Sequence, residues 1–287
     1  MVNIGFVGCG GISYSHVVRL SHLGQGEAEI KGLCDKNPDN ARRLMKVVNK
    51  FRNITPERLT EKSIYTDYHR MLSELDLEAI IVCTPHVLHY EHVMAGLKRG
   101  LHVFVEKPMA LSIKQAEEMK DTAEKEGLIL AIGYQRHFQP EYFYAREVIK
   151  SGKIGTPHFI VAWLTQDLRR AIGSRGWYLN PDLAGGGQVI CSGTHLNDIV
   201  LWVTGTEPKR VKAFMDMEGA EVEIYATLSV ELSNGALASI SILGDSPEKA
   251  VREELRIWCS KGAILSLIHI SEPTRPLYIS YAVFCLK

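Results

Sequence analysis

The chain has 287 residues, and its 33 basic side chains balance 33 acidic ones to a formal net charge of zero. That balance, with basic residues scattered along the chain, lacks the electrostatic footprint of a nucleic-acid or anionic-membrane binder. The apolar share of 46% and charged share of 23% are those of a soluble globular protein in one large or two modest domains, so a small-molecule partner is expected.

Met1-Val2-Asn3 leads directly into an apolar strand, without the basic and long apolar regions of a signal peptide. No uncharged run is long enough to span a bilayer, so a cytoplasmic protein without a membrane partner is expected. Up to about Gly133, short apolar runs alternate with longer helical stretches. The pattern predicts strand 3–7, helix 11–23, strand 28–34, helix 38–50, strand 79–83, helix 87–99, strand 102–105, helix 112–126 and strand 128–132. The stretch from Phe51 to Ser63 breaks this rhythm and reads as an inserted loop or frayed helix. Strands interleaved with helices imply right-handed crossovers and a parallel sheet covered on both faces, hence a doubly wound α/β domain over residues 1–133.

From Pro157 the texture changes to strand-like runs at 158–165, 209–216, 221–232, 235–243 and 252–258, with one apolar helix near 193–204. Asn234-Gly235 separates two of these runs and is a hairpin signal. Residues 134–264 are therefore expected to form an α+β domain whose open, mainly antiparallel sheet carries helices on one face. The six cysteines form no Cys-x-x-Cys pair, so neither a disulfide framework nor a structural zinc site is expected.

Gly8-Cys9-Gly10-Gly11-Ile12-Ser13 follows the first strand and opens the first helix, the context that turns a glycine pattern into a dinucleotide-binding site. Gly8 permits the tight turn, and Gly10 lets a pyrophosphate approach the backbone at the positive helix end, with Gly11 and Ile12 beside it. Ser13 stands where a third glycine or alanine is usual, and it is small enough to keep helix and strand close. Asp35 ends the second strand, where a carboxylate accepts hydrogen bonds from ribose hydroxyls and repels a ribose phosphate, which favours NAD over NADP. Arg42 and Arg43 lie a turn or two away within reach of a phosphate, and Asp35 can alternatively cap the helix beginning near Pro38. Thr84-Pro85 ends another strand at the same sheet edge, with Thr84 a candidate partner for the cofactor's ribose or phosphate. His86, His89 and His92 read as helix-start and surface histidines rather than metal ligands, and no metal site is expected.

The strand His102–Val105 runs into Glu106-Lys107-Pro108, placing an acid and an ammonium at the carboxyl end of a buried strand, where open parallel sheets put their ligands. Proline disfavours a helical backbone for Lys107. The alternative is a surface turn whose two charges pair with each other.

In this order and spacing, the glycine loop, Asp35, Thr84-Pro85 and Glu106-Lys107-Pro108 resemble the glucose-fructose oxidoreductase / inositol dehydrogenase / MocA family of NAD(P)-dependent oxidoreductases, from residue 1 to about 264. The resemblance implies a Rossmann domain followed by an open-sheet domain, and hydride transfer between the nicotinamide and a secondary alcohol of a sugar, inositol or related polyol. It implies that Glu106, Lys107 and Gln135 lie at the cofactor, with Lys107 also beside the substrate. His195, in the segment Gly185–Asp198, matches the family's catalytic histidine, whereas Cys191 occupies the family's usual aspartate position. Removal of a hydroxyl proton while hydride leaves the same carbon needs a base near neutral pKa, which His195 supplies and Lys107 assists. With a thiol at 191, that step relies more on Lys107 and on Asp198, for which capping or ion pairing is an equal reading.

The segment Gly133–Phe138 matches one that lines the family's interdomain cleft, making Gln135 and Arg136 polar contacts for cofactor or substrate. Trp163, Arg169, Arg175, Trp177 and Tyr178 are candidates for a sugar-binding wall, with ordinary packing as the alternative for each. Two other functions stay open from the resemblance: NAD-dependent glycoside cleavage or elimination, and a non-catalytic NAD-responsive regulator. Relatives commonly pair through the large sheet, so a homo-oligomeric parent is expected. Leu265–Arg275 and Ile279–Lys287 resemble the translated read-through of a sequencing-library adapter and its primer. Residues 265–287 are therefore expected to be a non-native tail replacing the end of the second domain, although Ile279–Phe284 has strand-like composition.

Overall fold

The computed structural model describes residues 1–167, 176–247, 251–269 and 283–286. The chain divides into two compact units, Met1–Gly133 and Tyr134–Lys287.

The first unit is built on six parallel strands: β1 (Val2–Val7), β2 (Ala28–Cys34), β3 (Ile64–Tyr65), β4 (Ala79–Val82), β5 (His102–Val105) and β6 (Leu130–Ile132). Their order, β3-β2-β1-β4-β5-β6, is the doubly wound order of dinucleotide-binding domains. Alternate residues of one strand serve opposite faces. Ile4, Phe6 and Ile81 join Val17, Leu33 and Leu44 in one core, while Val7, Ile80 and Val82 join Val93, Val103 and Met119 in the other. Helices α1 (Gly11–Leu20), α2 (Pro38–Val48), α3 (Tyr68–Glu74), α4 (His89–Leu97) and α5 (Ile113–Lys125) supply the crossovers. Local chemistry sets their starts. Asn37 accepts from the Asp39 N–H with Pro38 as the first helical residue, and Ser112 accepts from the Gln115 N–H.

The predicted elements of this unit are present, with ends differing by a few residues. Strand β3 and helix α3 carry no sequence signal, because two and seven residues are too short to establish a period. Packing specifies α3 instead: Met71 and the following Leu75 and Leu77 fill space that only glycine leaves at Gly5 and Gly32. The stretch 51–63 contains no frayed helix; it is irregular chain closed by a 3-10 turn at Glu61–Ser63, anchored by fully buried Ile54.

The second unit carries a seven-stranded sheet. Its strands are β7 (Pro157–Thr165), β8 (Pro208–Asp216), β9 (Tyr225–Leu232), β10 (Leu237–Leu243), β11 (Arg252–Cys259), β12 (Gly262–His269) and β13 (Val283–Leu286). The order is β13-β12-β11-β7-β10-β9-β8. Only β7 and β10 are parallel neighbours among the described pairs. Asn234-Gly235 forms the predicted hairpin: Gly235 takes φ +85° and Asn234 Oδ1 accepts from the Ala236 N–H at 3.0 Å. Helices α6 (Pro140–Lys150), α7 (Pro181–Ala184), α8 (Gln188–Cys191) and α9 (Gly193–Thr204) complete the unit. Leu196, Ile199, Val200 and Val203 of α9 pack with Ile160, Ile240, Leu255 and Ile257 on one sheet face. The opposite face leaves Phe159 and Phe214 exposed.

Strand β9 begins at Tyr225, later than residue 221, because Glu223 turns aside to the start of α8. β12 pairs with β11 along its whole length, and β13 pairs with β12. Residues 279–282 of the strand-like tail composition lie outside the described residues. No helix among the described residues is long and apolar enough to cross a membrane.

Candidate active site

In the first unit, the chain leaves β1 through a turn that requires glycine. Gly8 takes φ +92°, and a Cβ there would lie 2.6 Å from the Cys83 carbonyl group and 2.8 Å from the Thr84 nitrogen. The glycine turn and the Cys83–Thr84 strand end are therefore in contact, as their places at one sheet edge suggested. Gly10, the residue before α1, is different: a Cβ there would meet no protein atom within 4 Å. The protein's own packing does not need glycine at 10. Gly10 precedes the α1 amino terminus, where backbone N–H groups and the positive helix end favour an anion. Ser13 is fully buried and its hydroxyl donates to the Gly10 carbonyl, so it replaces a third glycine without separating helix from strand.

Asp35 is the neighbouring anion. Its Oδ2 accepts from the Cys9 N–H at 2.8 Å, and its Oδ1 accepts from the Asn37 N–H at 2.9 Å and from Asn40 Nδ2 at 3.1 Å. Asp35 thus joins the β2 end to the glycine turn. The cap of α2 is Asn37, not Asp35. Arg42 is held by Asp39 and Glu61 at 2.8 and 3.1 Å, and Arg43 donates to Asn40 Oδ1.

Beyond β5, both oxygens of the half-buried Glu106 are engaged. Oε1 lies 2.7 Å from His16 Nε2 on α1, and Oε2 accepts from the Lys107 N–H at 3.3 Å. Burial raises the Glu106 carboxyl, but the His16 hydrogen bond and charge, with Lys107, outweigh it and hold it below the usual range. Gly133 at the end of β6 makes room for this carboxylate: a Cβ there would lie 3.0 Å from Oε2. Glu106 is accordingly tied to His16 rather than to Lys107's ammonium alone, and the Lys107–Pro108 peptide is cis.

Thr84 Oγ1 lies 3.0 Å from His92 Nδ1, and burial lowers His92 to a pKa of about 4. His86, His89 and His92 are buried, not surface residues. Sequence alone missed this because their spacing of three places them on one face of a helix start without saying which face turns inward. Pro85 precedes the 3-10 turn His86–Leu88, and Ile12 is exposed on the first turn of α1.

The second unit holds the other candidates. His195 lies in the first turn of α9, and Cys191 ends α8, with Ser192 breaking the helix between them. Glu223 fixes this corner. Its carboxylate accepts from the Gly187 and Val189 N–H groups at 2.8 and 3.1 Å, and its carbonyl accepts from Gln188 N at 2.8 Å. A Cβ at Gly187 would lie 2.0 Å from that carbonyl oxygen. Cys191 is buried against Tyr178 and Leu179, and the Ser192 hydroxyl donates to its sulfur at 3.9 Å.

Beside His195 stands Tyr134, edge to face with centroids 5.9 Å apart, its hydroxyl 2.7 Å from Thr194 Oγ1. Burial raises the Tyr134 phenol. Asp198 pairs with His137, Oδ2 to Nε2 at 2.8 Å, and His137 stacks on Trp202 at 4.4 Å. Burial also pushes the Asp198 carboxyl up, against the pull of His137. Asp198 is thus engaged by His137 rather than in a helix cap. Sequence does not show these contacts, because Thr194 and Asp198 lie some sixty positions beyond their partners Tyr134 and His137, and only the tertiary fold joins them.

Arg136 has a partner that sequence does not show. It is buried and clamps Glu253 of β11, with Nε donating to Oε1 at 2.7 Å and Nη2 to Oε2, while Tyr142 donates to the same carboxylate at 2.9 Å. The guanidinium thus commits two of its nitrogens to an ion pair within the second unit, while its buried Nη1 has no hydrogen-bond partner. Gln135, next to it, is exposed. Trp177 stacks on Tyr178 at 3.8 Å, and Trp163 Nε1 donates to Glu254 Oε2 at 2.8 Å. Arg169 and Arg175 lie outside the described residues.

A doubly wound sheet with a glycine turn at its carboxyl edge, followed by a second open-sheet unit, defines a class of two-domain dinucleotide-binding oxidoreductases. Residues 2–134 match the family model described as "Oxidoreductase family, NAD-binding Rossmann fold", and residues 142–265 match the "GFO/IDH/MocA C-terminal domain". The chain belongs to the Gfo/Idh/MocA family. It is 32% identical over 183 residues to D-glucoside 3-dehydrogenase of Escherichia coli K12, covering 63% of this chain and 48% of that protein. It is also 32% identical over 158 residues to inositol 2-dehydrogenase/D-chiro-inositol 3-dehydrogenase of Lactiplantibacillus plantarum, covering 55% and 42%. The chain thus spans about half the length of these curated relatives. Among solved structures, GenD2 from gentamicin A biosynthesis in complex with NAD superposes with a TM-score of 0.81 at 19% identity, over 93% of this chain and 72% of that one. The WlbA dehydrogenase of Bordetella pertussis, in complex with NADH and UDP-GlcNAcA, gives 0.80 at 22%, over 92% and 77%. These two likenesses show the fold.

Proposed function

We propose that the protein is an NAD-dependent oxidoreductase acting on a secondary alcohol of a sugar, inositol or related polyol, with Lys107 and His195 as its catalytic residues. The observation that carries the cofactor reading is the contrast at the glycine turn: Gly8 is required by the fold, whereas Gly10 leaves open space at a helix amino terminus. Gly8, Gly10, Gly11 and Ile12 would hold the pyrophosphate, and Asp35, poised on the glycine turn, the adenosine ribose. Arg42 and Arg43 are already engaged by Asp39, Glu61 and Asn40, which supports NAD over NADP. Thr84, Pro85, Glu106 and Gln135 complete the proposed cofactor contacts.

Bound NAD supplies a hydride acceptor. In this reading His195 removes the hydroxyl proton, and the Lys107 ammonium stabilises negative charge developing on the same oxygen. Tyr134 restrains the His195 ring through its edge. Cys191 supplies no carboxylate beside His195, so in this reading the acid–base step is weaker than with an aspartate there or relies more on Lys107 and Asp198. The relatives named above act on glucosides and inositols, which supports a polyol as substrate. The exposed sheet face bearing Phe159 and Phe214 supports self-association, which light scattering would measure. Cys9, Cys34, Cys83, Cys191 and Cys259 are buried and form no disulfide, which suits a reducing, cytoplasmic setting.

The test is steady NADH formation across a panel of sugars and inositols. K107A and H195A should each lower kcat by about 100-fold or more. Product formed without net NADH would replace this reading with glycoside cleavage or elimination, and NAD binding without any turnover would replace it with a regulator.

A further inference from the structure

The turn that carries Lys107 is gripped from both sides by buried histidines. On one side, His16 of α1, 8% exposed, holds Glu106 Oε1 at 2.7 Å and rests edge-on against Phe104 with centroids 5.0 Å apart. On the other, His89 of α4, with no exposed surface, has Nδ1 2.7 Å from the Pro108 carbonyl oxygen and Nε2 2.9 Å from the Thr84 carbonyl oxygen. Lys107 lies between Glu106 and Pro108, so its backbone is fixed at both neighbours.

The His89 arrangement has a chemical consequence. Both acceptors are carbonyl oxygens, which carry no proton to give. A neutral imidazole has one N–H and can satisfy only one of them, whereas an imidazolium donates to both. We propose that His16 and His89 are positioning residues for Lys107, and that protonation of His89 closes a clasp between the Thr84 strand end and the lysine turn. The proposal rests on the reading of Thr84 and Lys107 as part of the cofactor and catalytic machinery.

Several groups face His89. Glu106 and Lys107 act from the turn, the His86 ring lies 5.7 Å away from the preceding 3-10 turn, and His92 acts from one turn further along α4. Burial lowers the proton affinity of His89 and Lys107 adds to this, while the two carbonyls and Glu106 oppose it. The second contact therefore closes on the acid side of the ordinary histidine range.

The experiment is an acid titration of protein carrying isotope-labelled lysine and histidine, followed by NMR, alongside NADH binding by fluorescence. In the wild type, the His89 ring should gain its proton below about pH 6.5, and the Lys107 side-chain resonance should move with the same midpoint. H89A should abolish that movement and weaken NADH binding about tenfold, with added imidazole restoring both. H16Q should displace the Lys107 resonance without removing the His89 titration. A Lys107 resonance that ignores the His89 titration in the wild type overturns the proposal without any variant having to fold. Unchanged NADH affinity in folded H89A overturns it equally. Full activity of K107A would instead defeat the catalytic reading of Lys107 while leaving the coupled titration intact.

Discussion

Gly8 and Gly10 stand two positions apart and do different work. Gly8 combines φ +92° with backbone atoms 2.6 Å from any Cβ, so G8A should lose about 1–3 kcal/mol of stability from strain alone. Urea denaturation measures this. Gly10 has neither constraint, so G10A should change stability by no more than about 0.5 kcal/mol while weakening NADH binding about tenfold or more. A G10A variant that unfolds like G8A would show that the glycine serves the fold and not a ligand. At this scale the sequence pattern was legible, since the turn follows a strand and opens a helix. What it could not supply was the pairing of side chains distant in sequence. Arg136 looked like a polar contact, and only the fold brings Glu253 to it from more than a hundred residues away. Sequence leaves the cap of α2 open, and the structure assigns it to Asn37.

At the scale of elements, the helix corner bearing Cys191 and His195 depends on one acid. Glu223 collects three successive N–H groups at the start of α8, and Gly187 leaves space for its carbonyl. G187A should therefore cost about 3 kcal/mol through overpacking, and thermal melts would record the loss. The 3-10 turn after β6 is bolted to β11 by Arg136–Glu253. E253A strands a buried guanidinium and should cost about 3–5 kcal/mol, whereas replacing both partners with apolar residues should cost much less. In the first unit, Glu106 has a depressed pKa, so it contributes stability that is present above the unfolded glutamate value of about 4.3 and lost as pH falls through the folded value. E106Q should flatten that acid limb in stability measured against pH. Helix α3 shows why some elements were illegible: seven residues set no period, and its place is dictated by Gly5 and Gly32 across the sheet.

At the scale of the whole molecule, strand and helix alternation declared the doubly wound sheet, and the Asn234-Gly235 hairpin declared the change to an antiparallel texture. Helix α6 shows no clean apolar stripe in the sequence, because Phe143 and Tyr144, both exposed, add apolar residues off its buried face. The two matched family regions cover residues 2–134 and 142–265, so the residues assigned to the cofactor up to Lys107 all lie in the first matched region and His195 in the second. The first unit matches an NAD-binding Rossmann domain, and its proposed selectivity against a ribose phosphate is the central point to test. The most direct measurement is calorimetric titration of the chain with NADH and with NADPH, repeated on D35A. NADH should bind, NADPH should bind about tenfold or more weakly, and D35A should narrow this gap by weakening NADH. Equal affinity for the two cofactors, or a D35A variant that binds NADH as well as the parent, would contradict it.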